Sequence, residues 1–333
     1  MYILNQQSNS EATGDFINID LSVSFAQKYL RQIAEPDNMN QVAEARFLER
    51  RRSGLVEQLQ ASLRSISAKS WSRTESLLAE QIIRHGINAD LIDPWTISGG
   101  VYQVYKHAIR AYAEQLPPCG LISKVGSILG ETRKQVAAID PRAIGFVAMQ
   151  YHYTGMYLME LLPSREQENF SNYVKILDDH LYMPLHRAYE AAAQHFQRST
   201  ALQAVQMLVP HMSEVADRIV QRVIDVYPQY RCFSGLLNKP QVRTSSLRDV
   251  EMFQVYLWVC ILEGNLKALE EELFPLCVMI YPTLNVSWEL VRLMTHLLHR
   301  EMEMCLPLEQ ARYCAPYYKA LIRLFSPEVF PNH

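Results

Sequence analysis

Proline placement limits what this chain can fold into more than any other feature. Stretches with helical periodicity are interrupted at Pro94, Pro117-Pro118, Asp140-Pro141, Pro163, Pro228, Lys239-Pro240, Pro282 and Pro307. At each, a fixed φ and a missing N–H set a helix boundary. Residues 40–66 are rich in Ala, Glu, Arg, Gln and Leu, with Leu55, Leu59 and Leu63 four residues apart, the spacing of one helix face. Further helices are expected at about 71–85, 99–116, 120–138, 142–162, 165–197, 201–227, 247–263, 265–280, 284–305 and 308–325. Ser164, Thr200, Ser213 and Thr283 are candidate N-caps near those starts. Only 12 glycines in 333 residues leave too few tight turns for a sandwich or barrel. The expected class is all-α.

Composition narrows the function. A hydrophobic share of 49% and a charged share of 20% describe a globular chain long enough for two cores. The formal charge of −3 gives no footprint for nucleic acid. The longest apolar run, Val255 to Leu262, is far short of the roughly 20 residues that span a bilayer. The N-terminal stretch from Met1 lacks the basic-then-apolar pattern of a secretory signal, so a cytoplasmic protein is expected. The six cysteines at 119, 232, 260, 277, 305 and 314 form no CxxC pair and read as reduced thiols.

Two internal echoes suggest duplication. Tyr102-Gln103-Val104-Tyr105 returns as Phe253-Gln254-Val255-Tyr256, and the residues from Leu162-Pro163 to Phe170 return from Leu306-Pro307 to Tyr313. The expectation is two related helical domains, 1–197 and 198–333. They would be joined by a continuous helix through Tyr189 to Phe196, where no breaker stands.

Within the second half, Ser246-Leu247-Arg248-Asp249 precedes the run Val250 to Gly264. Upstream lie Ala201 to Val209, an amphipathic stretch Val215 to Val226, and Tyr227-Pro228; downstream lie Glu263-Gly264-Asn265 and Ala311 to Ile322. In order and spacing these features resemble the phycobiliproteins, globin-like proteins that carry linear tetrapyrroles in photosynthetic antennae. Ser246 stands where that family has the cysteine that anchors the pigment. The resemblance implies that Arg248 pairs with a pigment propionate and Asp249 with the pyrrole nitrogens, with Tyr256 or Trp258 packing nearby. Guanidinium–carboxylate pairing and a carboxylate beside a cationic pyrrole system suit those roles. The same residues also read as a plain helix start, with Ser246 as cap and Asp249 favoured by the helix dipole. In the first half, Trp95, Ile97 and Ser98 occupy the equivalent positions, and none suits the pigment. Helices at about 20–34 and 40–66 could act as dimerising helices.

Other constellations point to structure rather than chemistry. Neither Leu266–Ile280 nor Leu121–Ala138 carries a histidine that could ligate haem. His296, His299 and Glu303 share a helix face without a complementary pair on another helix. Asp178-Asp179-His180 lacks the remaining ligands of a cation site. Tyr151-His152-Tyr153 suits a core or an interface, and the cluster Tyr313, Tyr317 and Tyr318 suits a protein interface, a flat pigment or ordinary core packing. No phosphate loop, nucleophile elbow or zinc-protease helix occurs. No catalytic or metal site is expected.

These observations and the resemblance together imply a non-catalytic, phycobiliprotein-like accessory or regulatory protein of an antenna. It would hold a linear tetrapyrrole (bilin) non-covalently through Arg248 and Asp249. It would act on a protein partner or a second copy through helical interfaces, with no nucleic-acid or membrane role. The alternative is a pigment-free globin-like sensor or scaffold.

Overall fold

The computed structural model describes residues 41–331, with side chains from Arg52 onward. The structure is helical almost throughout, as the all-α expectation requires. It divides into two compact units, with the chain passing from one to the other between Tyr182 and Met183. The helix expected at 20–34 lies outside the described residues.

The first unit comprises α1 (Gln41–His85), α2 (Pro94–Ala113), α3 (Pro118–Ile139), α4 (Ile144–Glu160) and α5 (Ser164–Tyr182). The two helices expected over 40–66 and 71–85 are one 45-residue helix. Nothing between them can break it: Ser70 and Thr74 turn their hydroxyls back onto the Ile66 and Ser70 carbonyls at 2.8 and 3.0 Å. Asp93 caps α2 through its carboxylate, with Pro94 at the first helical position. Helix α4 is buried almost all round and packs on α1 and α5. It comes so close to α2 and α5 that a Cβ added to Gly155 would lie 2.4 Å from Val174 and 2.5 Å from the Tyr105 hydroxyl.

The second unit comprises α6 (Leu185–Ala193), α7 (Thr200–Leu208), α8 (Met212–Val226), a two-stranded hairpin (β1, Arg231–Cys232; β2, Gly235–Leu236), α9 (Pro240–Glu263), a π-turn (Ala268–Leu273), α10 (Phe274–Thr283), α11 (Trp288–Met304) and α12 (Leu308–Leu324). Three sequence expectations change here. The continuous helix expected through Tyr189 to Phe196 stops at Ala193. Its successor is capped by the Ser199 hydroxyl, and His195 turns aside to contact Ser199 Oγ at 2.8 Å and the Leu262 carbonyl at 2.5 Å. Ser199 rather than Thr200 is therefore the cap. Pro184 and Pro210 split the stretches expected over 165–197 and 201–227. The pigment-family helix begins at Pro240, not Ser246, because proline at the first turn forfeits no hydrogen bond and holds Lys239 extended.

Every residue of α9 from Val250 to Leu262 is buried, as suits a central helix that is packed on all sides; it contacts α6, α7, α8 and α12. At its end, Arg187 of α6 grips both Glu263 oxygens, at 2.5 and 2.6 Å, and also Glu272 of the π-turn. Arg187→Met leaves two acidic side chains facing each other without a cation. The expected loss is about 2 kcal/mol, below the range for fully buried pairs because the guanidinium is partly solvated. An unchanged melting temperature in a two-state thermal scan would refute that assignment.

The two units share an order of packing. α4 and α11 are each 17 residues long, and Ser164 of α5 and Leu308 of α12 are separated by the same 144 residues as Ile144 and Trp288. α2 packs on α4 and α5 as α9 packs on α11 and α12.

Candidate functional site

The hairpin that borders the site is held by its own backbone geometry and by bonds to a neighbouring turn. Gly235 adopts φ +131°, which a side chain would oppose, and Cys232 pairs with it across the turn. The Phe233 N–H donates to the Leu284 carbonyl at 2.9 Å, and the Asn285 amide donates to the Arg231 carbonyl at 2.6 Å. The Tyr230 hydroxyl donates to the Asn285 carbonyl and accepts from the Ser287 N–H, both at 2.9 Å. These bonds tie the hairpin to the turn between α10 and α11.

Between the hairpin and helices α8, α9, α10 and α11 lies a cavity of about 90 Å³. Its wall is mostly aliphatic, with Val220 and Val223 from α8 and Leu290 and Met294 from α11. Four polar-capable residues interrupt it: Ser246 and Asp249 on α9, Tyr281 on α10 and Cys232 on the hairpin. Ser246 and Asp249 are three apart on one helix and so share a face. The Ser246 hydroxyl donates to the Val242 carbonyl at 3.0 Å, one turn back. It is a mid-helix residue and not the cap it resembled in the sequence.

The electrostatics are set by burial. Asp249 is held up at about 6 by desolvation, which the nearby Arg248 charge and the Tyr281 hydroxyl offset only in part. As a residue Asp249 keeps some solvent exposure, but its carboxyl group is surrounded by the apolar wall. Burial, then the Asp249 charge, pushes the Cys232 thiol up to about 11. Tyr281 and Cys277 are raised well above their ordinary values by burial, and each feels the Asp249 charge.

Of the two expected site residues, Asp249 lines the cavity; Arg248 stands beside it, within electrostatic reach of Asp249 and Tyr281. Tyr256 and Trp258 sit fully buried in the core and form no part of the wall. Sequence reasoning missed Cys232 and Tyr281. The signals available were weak: a cysteine four residues after Tyr227-Pro228, and a tyrosine before a proline. Neither predicts a shared cavity without the fold.

In the first unit, Trp95 is exposed at the start of α2 and Ile97 is buried; Ser98 lies 3.5 Å from the Gln150 amide. His299 pairs loosely with Glu303 at 3.8 Å and packs on the Tyr318 ring. His152 meets Asp178 at 2.8 Å. Among the described residues no three His, Cys, Asp or Glu side chains converge as metal ligands, and no helix is long and apolar enough to cross a membrane.

The geometry defines a mostly helical unit with an acid-bearing, largely apolar cavity between its central helix and a short hairpin. A protein-family model described as "Phycobilisome protein" matches residues 172–324, a little under half of the chain. This C-terminal region is thus similar to the phycobiliproteins, an antenna-related family of globin-like, all-α fold. No curated protein matches the chain.

Proposed function

We propose that this is a non-catalytic accessory or regulatory protein of a photosynthetic antenna whose second unit binds a linear tetrapyrrole. The observation that carries this reading is the place of Asp249: its carboxyl group, pushed up to about 6 by burial, lines a mostly aliphatic cavity on the helix that resembles the family's pigment-bearing one. A protonated pyrrole system would meet that carboxylate as a counter-charge, with Arg248 placed for an anionic substituent. The donor chemistry fits a bilin. The volume admits about one five-membered ring, or about three waters by bulk volume, so the rest of the pigment would lie across the mouth. The first unit, with the same order of packed helices and no acid at the equivalent position, is read as a duplicated domain that serves in helical interfaces. These would join the protein to a partner or a second copy in the cytoplasm.

Producing the full chain together with bilin-synthesising enzymes tests this reading. The expected result is a red-shifted visible absorption, reduced at least about tenfold in Arg248→Ala and Asp249→Asn while helicity by circular dichroism is unchanged. The small cavity volume favours a second reading, a pigment-free scaffold, and a colourless wild-type protein under those conditions would establish it over the first.

A further inference from the structure

We propose that the cavity beside α9 binds an alkylammonium group, the end of a lysine side chain or a free primary amine, with Asp249 as its counter-charge. This goes beyond the tetrapyrrole reading, and a bilin at Asp249 would exclude the amine. The two are therefore tested separately, the pigment by absorption and the amine on protein produced without bilin. Size is the first argument. The cavity of about 90 Å³ holds roughly three to four non-hydrogen atoms, an ammonium nitrogen and about three carbons, at the ~30 Å³ that a water takes in the liquid.

Charge is the second. No Lys, Arg, His or Glu is among the residues that line the cavity, and burial keeps the Cys232 thiol and the Tyr281 hydroxyl protonated at neutral pH. Asp249 is thus the one charge on the wall. Arg248 precedes it on α9 and stands outside the lining. The rest of the wall, with Val220 and Val223 of α8 and Leu290 and Met294 of α11, suits the methylene stem of an amphipathic chain whose charged end meets the acid.

Hydrogen bonding is the third. An ammonium has three N–H donors to place. Asp249 accepts one as an ion pair. Ser246, on the same face of α9, directs its own proton to the Val242 carbonyl at 3.0 Å and keeps its lone pairs to accept another. Water at the mouth takes the third. A buried carboxylate without a cation is costly, and an ion pair whose remaining donors are bonded offsets that cost. A neutral alcohol leaves the charge unmet, and an anionic ligand is repelled by it.

The test is thermal melting of the full pigment-free chain with small probes, sodium chloride being the salt control. Butylammonium at pH 7.5 should raise the melting temperature by about 3–5 °C at roughly ten times its dissociation constant. Affinity should rise about fourfold with each methylene from methylammonium upward and level off beyond butylammonium, when the cavity is full. Between pH 7.5 and 5 it should fall about tenfold as Asp249, which titrates at about 6, takes up its proton. The other groups facing Asp249 are Arg248, Tyr281, Cys277 and Cys232, and none of them changes charge in that range. 1-Butanol with the wild type, and butylammonium with Asp249→Asn, should each bind at least about tenfold more weakly. Nα-acetyl-lysine N-methylamide binding as well as butylammonium would support the proposal with a protein's lysine as the source; butylammonium binding alone would support it with a free amine. No shift with any alkylammonium, an equal shift in Asp249→Asn, or an affinity indifferent to chain length would overturn it.

Discussion

Asp249→Asn should make the protein more stable at pH 8 and leave it unchanged at pH 4. The folded carboxyl titrates at about 6 against an ordinary 3.8, so between those values the native state holds a proton that the unfolded chain has lost. Stability from this group is therefore complete at low pH and declines as pH rises through 6, the reverse of a salt-bridged carboxylate. At about 1.4 kcal/mol per pH unit, and allowing for the partial exposure of Asp249, the gain at pH 8 is about 1–3 kcal/mol. Asparagine keeps the shape and can still meet Tyr281. Urea unfolding of both proteins across pH 4 to 8 measures the effect as a difference that opens as pH rises from about 4 and levels off a little above 6. A constant difference, or a loss of stability at pH 8, would show that Asp249 is held by partners and not left desolvated. The same destabilising charge is the one that the cationic pigment of the proposed function would compensate, and this links the measurement to that proposal.

The other large effect is steric and lies in the first unit. Gly155→Ala puts a methyl group 2.4 Å from Val174 and 2.5 Å from the Tyr105 hydroxyl, too close for either to remain in place. Tyr105 is fully buried and donates to the Tyr151 carbonyl at 2.7 Å, so it cannot swing into solvent. Val174 sits on α5 with a buried flank. The helices must separate, at about 3 kcal/mol or more, the upper end of overpacking costs. The usual gain of replacing a helical glycine by alanine, about 1 kcal/mol, does not recover that loss. Thermal melting should show the first unit destabilised, with 1-anilinonaphthalene-8-sulfonate binding as a sign of loosened packing. Wild-type stability in Gly155→Ala would mean that α4 does not approach α2 and α5 so closely.

Much of this architecture was readable in advance because helix formation is a local matter. Periodicity placed α2 to α4, α11 and α12 close to where they occur, since proline and the caps act on their own turn. The errors came where two local signals competed. Ser246-x-x-Asp249 looked like a helix start, but Pro240 had already opened the helix two turns earlier. The Tyr189 to Phe196 run had helix propensity and no breaker, but Ser199 offered a new cap and His195 a hydrogen bond to a distant carbonyl. The role of Asp249 was legible only as a family position. Its titration depends on Val220, Leu290 and Tyr281, which lie 29 to 41 residues away in sequence.

By itself, then, the sequence determined the helical class, the order of helices and the family likeness, since each follows from residue spacing within a few turns. The tertiary structure alone decided that Ser246, Asp249, Tyr281 and Cys232 share one cavity. Burial and electrostatic contact are made across helices, and no spacing along the chain measures them.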